Sequence, residues 1–386
     1  MKKILKKVTA AILAATMVVG MTACGSGNGG SSTQGGSASN STGKIKIGVS
    51  IWSSTDVLGS QCKKILDEAA KALDVDVQYV DQGHVSEKVT ASVEQLAAAG
   101  CQGIIICNSS DTSAIKTCND NKVYLAQFFR IISQENSADI YQAATDSDYY
   151  IGAVHEDEPE NGEELVNILL NKGDRNIGLI GWEQGDATWL GRWEGYKAGV
   201  DKWNEEHPDD QATLSEPQYA GTTSEGGSKA AEALMAADPN LDALIPAGGG
   251  GDPLQGAIAA VERAGKTADI DIVSTDFLPD LGERLENGSM AGESGGHFCD
   301  PLIAFMMVYN AIKGNYSDFG GKFEDVPFPY LYVSSADDYK AYEEYFVDQL
   351  PYTDEELVDM SKLSLDELKN TAAKISIEDA AARAAE

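Results

Sequence analysis

The sequence predicts an α/β protein of two lobes, each a doubly wound, Rossmann-like parallel sheet with helices on both faces. From Lys44 onward, short β-branched runs alternate with segments whose apolar residues recur at helical spacing. The run "GIIIC" is apolar throughout, as expected for a strand that is covered on both faces of a parallel sheet. The same alternation starts again at "NIGLIGW" in the second half. Two successive runs of this kind indicate two similar lobes with a cleft between them.

The elements follow one another in the order that this architecture requires. In the first half we predict strands at "KIKIGVSIW", "VDVQYV", "GIIIC", "VYLAQFF" and "YYIGAV", and helices at 58–73, 86–99 and 112–119. In the second half we predict strands at "NIGLIGW", "TLSEPQY", "DALIPA", "DIDIVST", "SMAGES" and "PYLYV", and helices at 189–203, at "KAAEALMA", and at 253–264, 279–286 and 301–312. Ligands of such sheets bind beyond the carboxyl ends of the strands, so the residues that follow each strand are the candidates for a site.

The beginning of the chain predicts a leader and a linker. Four lysines precede an apolar run at 8–21, which is too short to remain as a membrane span. Thr22 and Ala23 before Cys24 look like a bacterial lipobox, in which cleavage leaves a lipidated cysteine at the new N-terminus. We therefore expect a signal peptide at 1–23 and a flexible Gly/Ser linker at 24–43 that tethers the working domain to the membrane. The alternative is an ordinary secretory signal with an incidental cysteine.

Charge and cysteine spacing exclude several classes of function. The chain has 29 basic and 61 acidic residues, a formal net charge of −32, and four of the basic residues lie in the leader. Such a surface repels phosphate backbones, so we expect no nucleic-acid partner. The cysteines after Cys24 show no C-x-x-C spacing and the four histidines no metal-site spacing, so we expect neither a metal nor a cofactor. We expect these cysteines to be small buried residues, and one disulfide among the first four of them is the alternative.

The order of elements, together with "LAAAGCQGIIICNSSDTSAI" and "DIVSTD", resembles the periplasmic sugar-binding proteins of ribose type. These are the type I solute-binding components of ABC transporters, and the resemblance covers roughly 44–333. It implies two lobes that are joined by three crossovers and close like a hinge on a small polar ligand. The crossovers are expected near 156–158, Gly296 and Pro329. This places lobe one at 44–156 plus 297–329, lobe two at 157–296 plus 330–350, and an acidic helical tail at 351–386.

The resemblance also implies ligand contacts in lobe one. Trp52 and Asp56 follow the first strand, where an indole suits the apolar face of a sugar and a carboxylate accepts from hydroxyl groups. Asn108 ends the third strand and is either a ligand contact or a helix cap. Arg130 follows the fourth strand and matches an arginine that binds sugar hydroxyls, although it could instead pair with surface carboxylates. The neighbouring Phe129 stands where the family usually has aspartate, and we count it with the contacts.

Lobe two supplies the remaining candidates. Asp186 and Trp189 follow its first strand. The alternative for Trp189 is a place in the core, because Trp193 lies on the same helix and both cannot face the cleft. Asp252 follows a four-glycine turn that replaces the family's usual asparagine. Asp276 matches the family's aspartate on the hinge side of the cleft, with a helix N-cap as its alternative role. His297 follows the last parallel strand, where a polar cleft residue is expected.

Together with the predicted lipid anchor, the resemblance implies a lipid-anchored receptor that passes a monosaccharide or related polyol to an ABC permease. A nucleoside or autoinducer remains an alternative ligand, and a sensory module for a membrane kinase remains an alternative role. "GESGG" has the literal spacing of a hydrolase elbow, but the last histidine of the chain lies too close behind it to be the usual triad partner. We therefore expect a binding protein and not an enzyme.

Overall fold

The structure is a computed structural model, and it describes residues 43–83, 85–107, 112–248, 252–316 and 324–385. Cys24 and the linker up to residue 42 lie outside the described residues. All of the described strands and helices belong to Lys44–Glu386.

Thirteen strands in the described part of the chain form two sheets. They are β1 Lys46–Ile51, β2 Asp76–Asp81, β3 Gly103–Ile106, β4 Tyr124–Phe128, β5 Tyr150–Glu156, β6 Asn176–Gly181, β7 Thr213–Leu214, β8 Gln218–Tyr219, β9 Ala243–Pro246, β10 Asp271–Thr275, β11 Gly292–Gly295, β12 Glu324–Phe328 and β13 Leu331–Val333. The first sheet has the order β12-β5-β4-β3-β1-β2, and the second has the order β13-β11-β10-β9-β6-β7, with β8 also paired to β6. Among these strands only β13 runs antiparallel to its neighbour, β11.

Fourteen described α-helices connect and cover the strands. They are α1 Val57–Ala72, α2 Ser86–Ala98, α3 Ser113–Asn121, α4 Gln134–Thr145, α5 Glu158–Lys172, α6 Ala187–Glu206, α7 Ser224–Ala237, α8 Asp252–Arg263, α9 Leu281–Asn287, α10 Asp300–Lys313, α11 Ala336–Tyr342, α12 Asp354–Met360, α13 Leu365–Ala372 and α14 Ile377–Ala384. A 3₁₀ turn at His297–Cys299 and a π-helical turn at Glu343–Asp348 complete the helical elements. Side-chain caps begin several helices, and Ser364 and Glu367 form a capping box at the start of α13.

The chain passes between the two sheets at three places. It leaves β5 of the first sheet for α5, which packs on β10 and β11 of the second sheet. It returns from β11 through the 3₁₀ turn to α10, and it passes from β12 directly to β13. We call the first sheet with its helices lobe one and the second sheet with its helices lobe two. The predicted α/β class with two doubly wound lobes and a three-segment hinge is confirmed.

Each lobe has an apolar core beneath its helices. In lobe one, α10 is buried from Asp300 to Ala311 and packs against β3, β4 and β5, which explains why its sequence is apolar almost all round. In lobe two, α5 and α6 approach so closely that a Cβ on Gly162 would stand 2.1 Å from the carbonyl oxygen of Arg192. Only glycine permits this approach. It holds the first turns of α5 and α6 side by side at the edge of the cleft.

Some elements differ from the sequence prediction for local physical reasons. The stretch "TLSEPQY" forms two strands of two residues each, β7 and β8, instead of one. The helix α4 was not predicted, since its apolar spacing is irregular and it contains a non-helical residue at Ser137. The strand β12 was not predicted either, because it carries acidic residues and Pro327. It lies at the edge of its sheet, where proline is tolerated.

The acidic tail folds as helices that pack on the rest of the chain. The side chains of Leu357, Met360 and Leu368 are almost fully buried, and α12 and α13 contact α1, α10 and β12 of lobe one. The amide of Asn310 in α10 donates hydrogen bonds to the carbonyl oxygens of Met360 and Leu363. The last helix, α14, contacts α11 and the π-helical turn.

Candidate functional site

A cavity of about 500 Å³ lies between the two lobes, and residues that follow strands of both sheets line it. Trp52 and Phe129 follow β1 and β4 of lobe one, while Trp182 and Asp276 follow β6 and β10 of lobe two. This is the position that parallel sheets give to their ligands. The lining consists of Trp52, Asp56, Val57, Leu58, Cys107, Phe129, Arg130, Glu156, Glu158, Trp182, Thr188, Arg192, Thr222, Gly248, Asp276, His297 and Tyr330.

The structure brings six of the ten predicted ligand contacts to this cavity. They are Trp52, Asp56, Phe129, Arg130, Asp276 and His297. Asn108 lies outside the described residues. Asp252 is the first residue of α8, and its side chain is outside the described set. Asp186 and Trp189 lie elsewhere.

The aromatic wall of the cavity belongs to lobe one and the hinge. The ring of Trp52 is 5.6 Å from that of Phe129, which is 5.3 Å from His297, and Tyr330 follows at 5.1 Å from His297. Phe129 has a left-handed backbone with φ of 62°, and its N–H donates to Asp300 Oδ2 at 3.0 Å. This conformation is uncommon for a bulky residue, and here it directs an aromatic ring into the cavity. The wall offers apolar faces to a flat ligand.

Asp56 joins the aromatic wall to the first helix. Its Oδ2 accepts from Trp52 Nε1 at 2.5 Å, and its Oδ1 accepts from the Gly59 N–H at 2.7 Å as the N-cap of α1. These two bonds hold the indole in one orientation. Each carboxylate oxygen keeps a further lone pair, so Asp56 can still accept from a ligand hydroxyl.

Asp276 and His297 form a buried ion pair on the hinge side of the cavity. Their Oδ1 and Nε2 atoms are 3.0 Å apart, and the Asp276 N–H donates to the Ser294 carbonyl at 2.7 Å. Burial alone would raise the pKa of Asp276, but the charge and hydrogen bond of His297 lower it below its ordinary value. Burial alone would lower the pKa of His297, but Asp276 raises it above its ordinary value. Both shifts favour the charged pair. The N-cap of the following helix, α9, is Asp280 and not Asp276.

A second ion pair was not predicted and lies at the start of lobe two. Arg192 Nε donates to Glu158 Oε2 at 2.6 Å, and its guanidinium also donates to the Tyr330 hydroxyl at 3.2 Å. Arg192 is 4 % exposed, and its guanidinium carbon is 5.4 Å from the centre of the Trp182 ring. The group joins α5, α6 and the third crossover at one wall of the cavity. The charges of Arg192 and Glu158 compensate each other, so these residues present hydrogen-bonding groups to the cavity without an unpaired charge.

The first two crossovers also meet at a pair of buried carboxyl groups. Glu156 ends β5, Asp300 begins α10, and their side chains are hydrogen-bonded to each other. Burial raises the pKa of Asp300 well above its ordinary value, and the nearby Glu156 raises it further. Burial likewise raises the pKa of Glu156, against the lowering effect of His297. Two carboxyl groups in contact favour sharing one proton.

Two predicted contacts do not line the cavity, and helix geometry explains both. Trp189 has no exposed surface, and its ring packs edge-on against Tyr196 in the core of lobe two. Asp186 caps α6, where its Oδ1 accepts from the Trp189 N–H at 2.8 Å. Between them, the helix turns Thr188 toward the cavity instead. This corrects the prediction for Asp186 and Trp189.

The lining also contains residues beyond the ten predicted contacts. Trp182 follows β6 directly, as Trp52 follows β1, so its position after the strand already indicates the cavity. Glu158 and Tyr330 lie at two crossovers, and their meeting with Arg192 depends on how the lobes pack, which no local pattern reports. The five cysteines in the described residues are buried, and no two of them form a disulfide.

Metal-binding clusters and membrane-spanning helices are both absent from the described part of the chain. Among the described residues, no group of three or more His, Cys, Asp or Glu side chains is arranged to hold a metal ion. No helix in the described ranges is both long enough and apolar enough to cross a bilayer.

Comparisons with known proteins place the chain in a family. A model described as a periplasmic binding protein domain matches residues 47–313. A search of curated proteins found no match. Among solved structures, a solute-binding protein from Actinobacillus succinogenes with bound D-allose has a TM-score of 0.64 at 18% identity, over 78% of this chain and 100% of that one.

Two further structures are similar. A solute-binding protein from Bacillus halodurans with bound myo-inositol has a TM-score of 0.59 at 21% identity, over 78% of this chain and 99% of that one. A Mycobacterium smegmatis protein in complex with β-D-fucofuranose has a TM-score of 0.61 at 18% identity, over 82% of this chain and 98% of that one. At such identities the likeness shows the fold, while the family model matches more than half of the chain. The chain belongs to the periplasmic binding protein family.

Proposed function

We propose that this protein is the extracellular solute-binding component of an ABC transporter and that it captures a monosaccharide or related polyol between its lobes. Its family is one of binding proteins, which agrees with the expectation that it is not an enzyme. The observation that carries the proposal is the cavity of about 500 Å³ that both lobes line with aromatic rings and buried, paired charges. Ring faces and charge-assisted hydrogen bonds together suit a ring that bears many hydroxyl groups.

The charge balance favours a neutral ligand. Asp276 is paired with His297, and Glu158 is paired with Arg192, so neither lobe offers an unpaired charge from these residues. The raised pKa values of Glu156 and Asp300 favour a proton shared between them, which reduces the negative charge of this pair. Asp56 and Arg130 line the same cavity outside these two pairs, and their charges have opposite signs. D-Allose, myo-inositol and β-D-fucofuranose, which the similar structures contain, are uncharged polyhydroxy compounds.

We further propose that Cys24 carries the lipid that holds the protein at the outer face of the cell membrane. The support is the order of leader, cysteine and Gly/Ser linker in the sequence. The linker lets the two lobes reach a permease while the anchor stays in the membrane.

A thermal-shift screen tests the proposed ligand class. The panel contains D-allose, D-fucose, L-arabinose, D-galactose and myo-inositol, with nucleosides as the competing class. A ligand that binds only the folded state raises the apparent stability by RT ln(1 + [L]/Kd). We expect at least one sugar or polyol to raise the melting temperature in a concentration-dependent way. Stabilisation by nucleosides alone, or by no compound at all, would contradict the proposal.

A further inference from the structure

A second, smaller cavity of about 120 Å³ adjoins the main one. We call it the annex, and it is the space enclosed by Gln61, Gln255, Phe277, Leu278, Pro279 and Tyr342. Four residues line both cavities: Val57, Leu58, Asp276 and His297. The annex is therefore a side chamber of the main cavity, with the Asp276–His297 ion pair at the boundary.

The annex differs from the main cavity in its chemistry. Phe277, Leu278, Pro279 and Tyr342 supply apolar surface. The side chain of Gln61 donates a hydrogen bond to the Tyr342 hydroxyl, which engages one polar group of each residue. The charges of Asp276 and His297 likewise engage each other at the boundary. The annex therefore favours an apolar group over a further set of hydroxyl groups.

Apolar side chains at the entrance to the annex are partly exposed to solvent. Val57 begins α1 beside both cavities, and 46 % of its surface is exposed although it is an aliphatic residue. Leu58 next to it also lines both spaces. Apolar surface at the junction of two cavities is stabilised when a ligand covers it, because burial removes it from water.

We propose that the annex binds a short alkyl substituent of the ligand, while the polyhydroxy ring of the same ligand occupies the main cavity. The ligand class is thus an O-alkyl glycoside or a comparable alkylated sugar, and this inference rests on the proposed function. The volume of the annex limits the length of the alkyl substituent. A buried apolar cavity of about 150 Å³ holds benzene, so the annex fits a group slightly smaller than benzene, with about one to four carbons.

An affinity series tests this inference. The sugar that binds most tightly in the thermal-shift panel is compared by calorimetry with its methyl, ethyl, propyl, butyl and hexyl glycosides, in both anomeric forms. For one anomer we expect the affinity to rise by about fourfold for each buried methylene, the factor that corresponds to about 0.8 kcal/mol. The rise should end near butyl, and the hexyl glycoside should bind no more tightly than the butyl one.

Substitutions of Gln255 test whether the alkyl chain that increases the affinity lies in the annex. This residue is exposed on α8 and lines only the annex, so both substitutions leave the core and the main cavity intact. Gln255→Trp should fill the annex and abolish the gain with chain length while the free sugar still binds as in the wild type. The matched control, Gln255→Ala, should keep the gain.

Each outcome of the series bears on a definite claim. If no sugar binds at all, the proposed function fails and this inference fails with it. If the free sugar binds but no alkyl chain increases the affinity, only the inference is overturned. It is also overturned if the gain persists in Gln255→Trp, because the chain then lies outside the annex.

Discussion

Arg130 of lobe one donates a hydrogen bond across the cleft to Thr188 of lobe two, with 2.5 Å between its Nη1 and the threonine Oγ1. Both residues line the main cavity. Arg130 follows β4, and Thr188 is the second residue of α6, so the bond connects elements that a hinge motion would separate. The bond therefore favours the closed arrangement of the lobes.

Thr188→Val should shift the protein toward the open form. Valine keeps the shape of threonine but removes the acceptor of the Arg130 bond. The net loss is about 1 kcal/mol, which lowers the population of the closed form about fivefold relative to the open form. Small-angle scattering of the ligand-free protein measures the change as a larger radius of gyration. Thr222→Val, at another threonine of the same cavity, is the control, and identical scattering from all three proteins would refute the closing role of the bond.

The Glu156–Asp300 pair should make stability depend on pH. Burial raises the pKa of both groups, whereas in the unfolded chain both titrate near pH 4. The folded state therefore holds their protons to a higher pH than the unfolded state does. Their stabilising contribution is full below about pH 4 and is lost as the pH rises through the raised values.

Asp300→Asn should remove most of this dependence. Asparagine keeps an oxygen for the Phe129 N–H and cannot ionise. The free energy of unfolding of Asp300→Asn minus that of wild type should therefore be larger at pH 8 than at pH 5. Urea unfolding at the two pH values measures the difference. Glu355→Gln on the exposed side of α12 is the control, and parallel pH profiles for wild type and Asp300→Asn would count against the prediction.

Two tryptophans should report ligand binding by fluorescence. Trp52 and Trp182 line the cavity from opposite lobes, whereas Trp189 lies in the core of lobe two. Trp52→Phe keeps an aromatic face but loses the indole and its bond to Asp56. We expect the ligand-induced change to shrink and the affinity to fall by about 1 kcal/mol.

Trp182→Phe should remove part of the same signal, and the double variant should remove nearly all of it. Trp189→Phe is the control for a tryptophan outside the cavity. If the double variant keeps the full fluorescence change, the ligand binds away from Trp52 and Trp182.

Cys24→Ala should release the protein from the membrane. Without the thiol there is no lipid attachment, so the chain is either secreted or left unprocessed. Cell fractionation followed by immunoblotting measures the distribution, and Cys62→Ala, at a buried cysteine of α1, is the control. Correctly processed Cys24→Ala protein that stays with the membrane would rule out the lipid anchor.

Much of the architecture follows from local pattern. The alternation of β-branched runs and helical spacing identified both sheets because each strand is buried and each helix has one apolar face. The rule that ligands bind beyond strand ends, together with the family resemblance, predicted Trp52, Arg130 and Asp276 as contacts, and all three line the cavity.

The parts that could not be predicted depend on orientation and on long-range packing. The sequence shows tryptophans at positions 189 and 193 of one helix but not which of them faces the sheet. In the structure Trp189 is the one that is buried in the core. The contact of Arg192 with Glu158 and Tyr330 joins residues 34 and 138 positions away along the chain. Pairs of this kind become visible only when the relative placement of the lobes is known.

Calorimetric titration of two aspartate variants tests whether the cavity between the lobes is the sugar site. Asp276 lines this cavity, whereas Asp186 caps α6 outside it. The tightest-binding sugar or polyol of the thermal-shift panel is titrated into wild type, Asp276→Asn and Asp186→Asn. We predict that Asp276→Asn loses about 2–4 kcal/mol of binding free energy, because a buried charged partner is removed. Asp186→Asn should bind within a factor of about two of wild type, because asparagine is an equally good N-cap. A folded Asp276→Asn protein that binds as tightly as wild type would show that the ligand does not occupy this cavity.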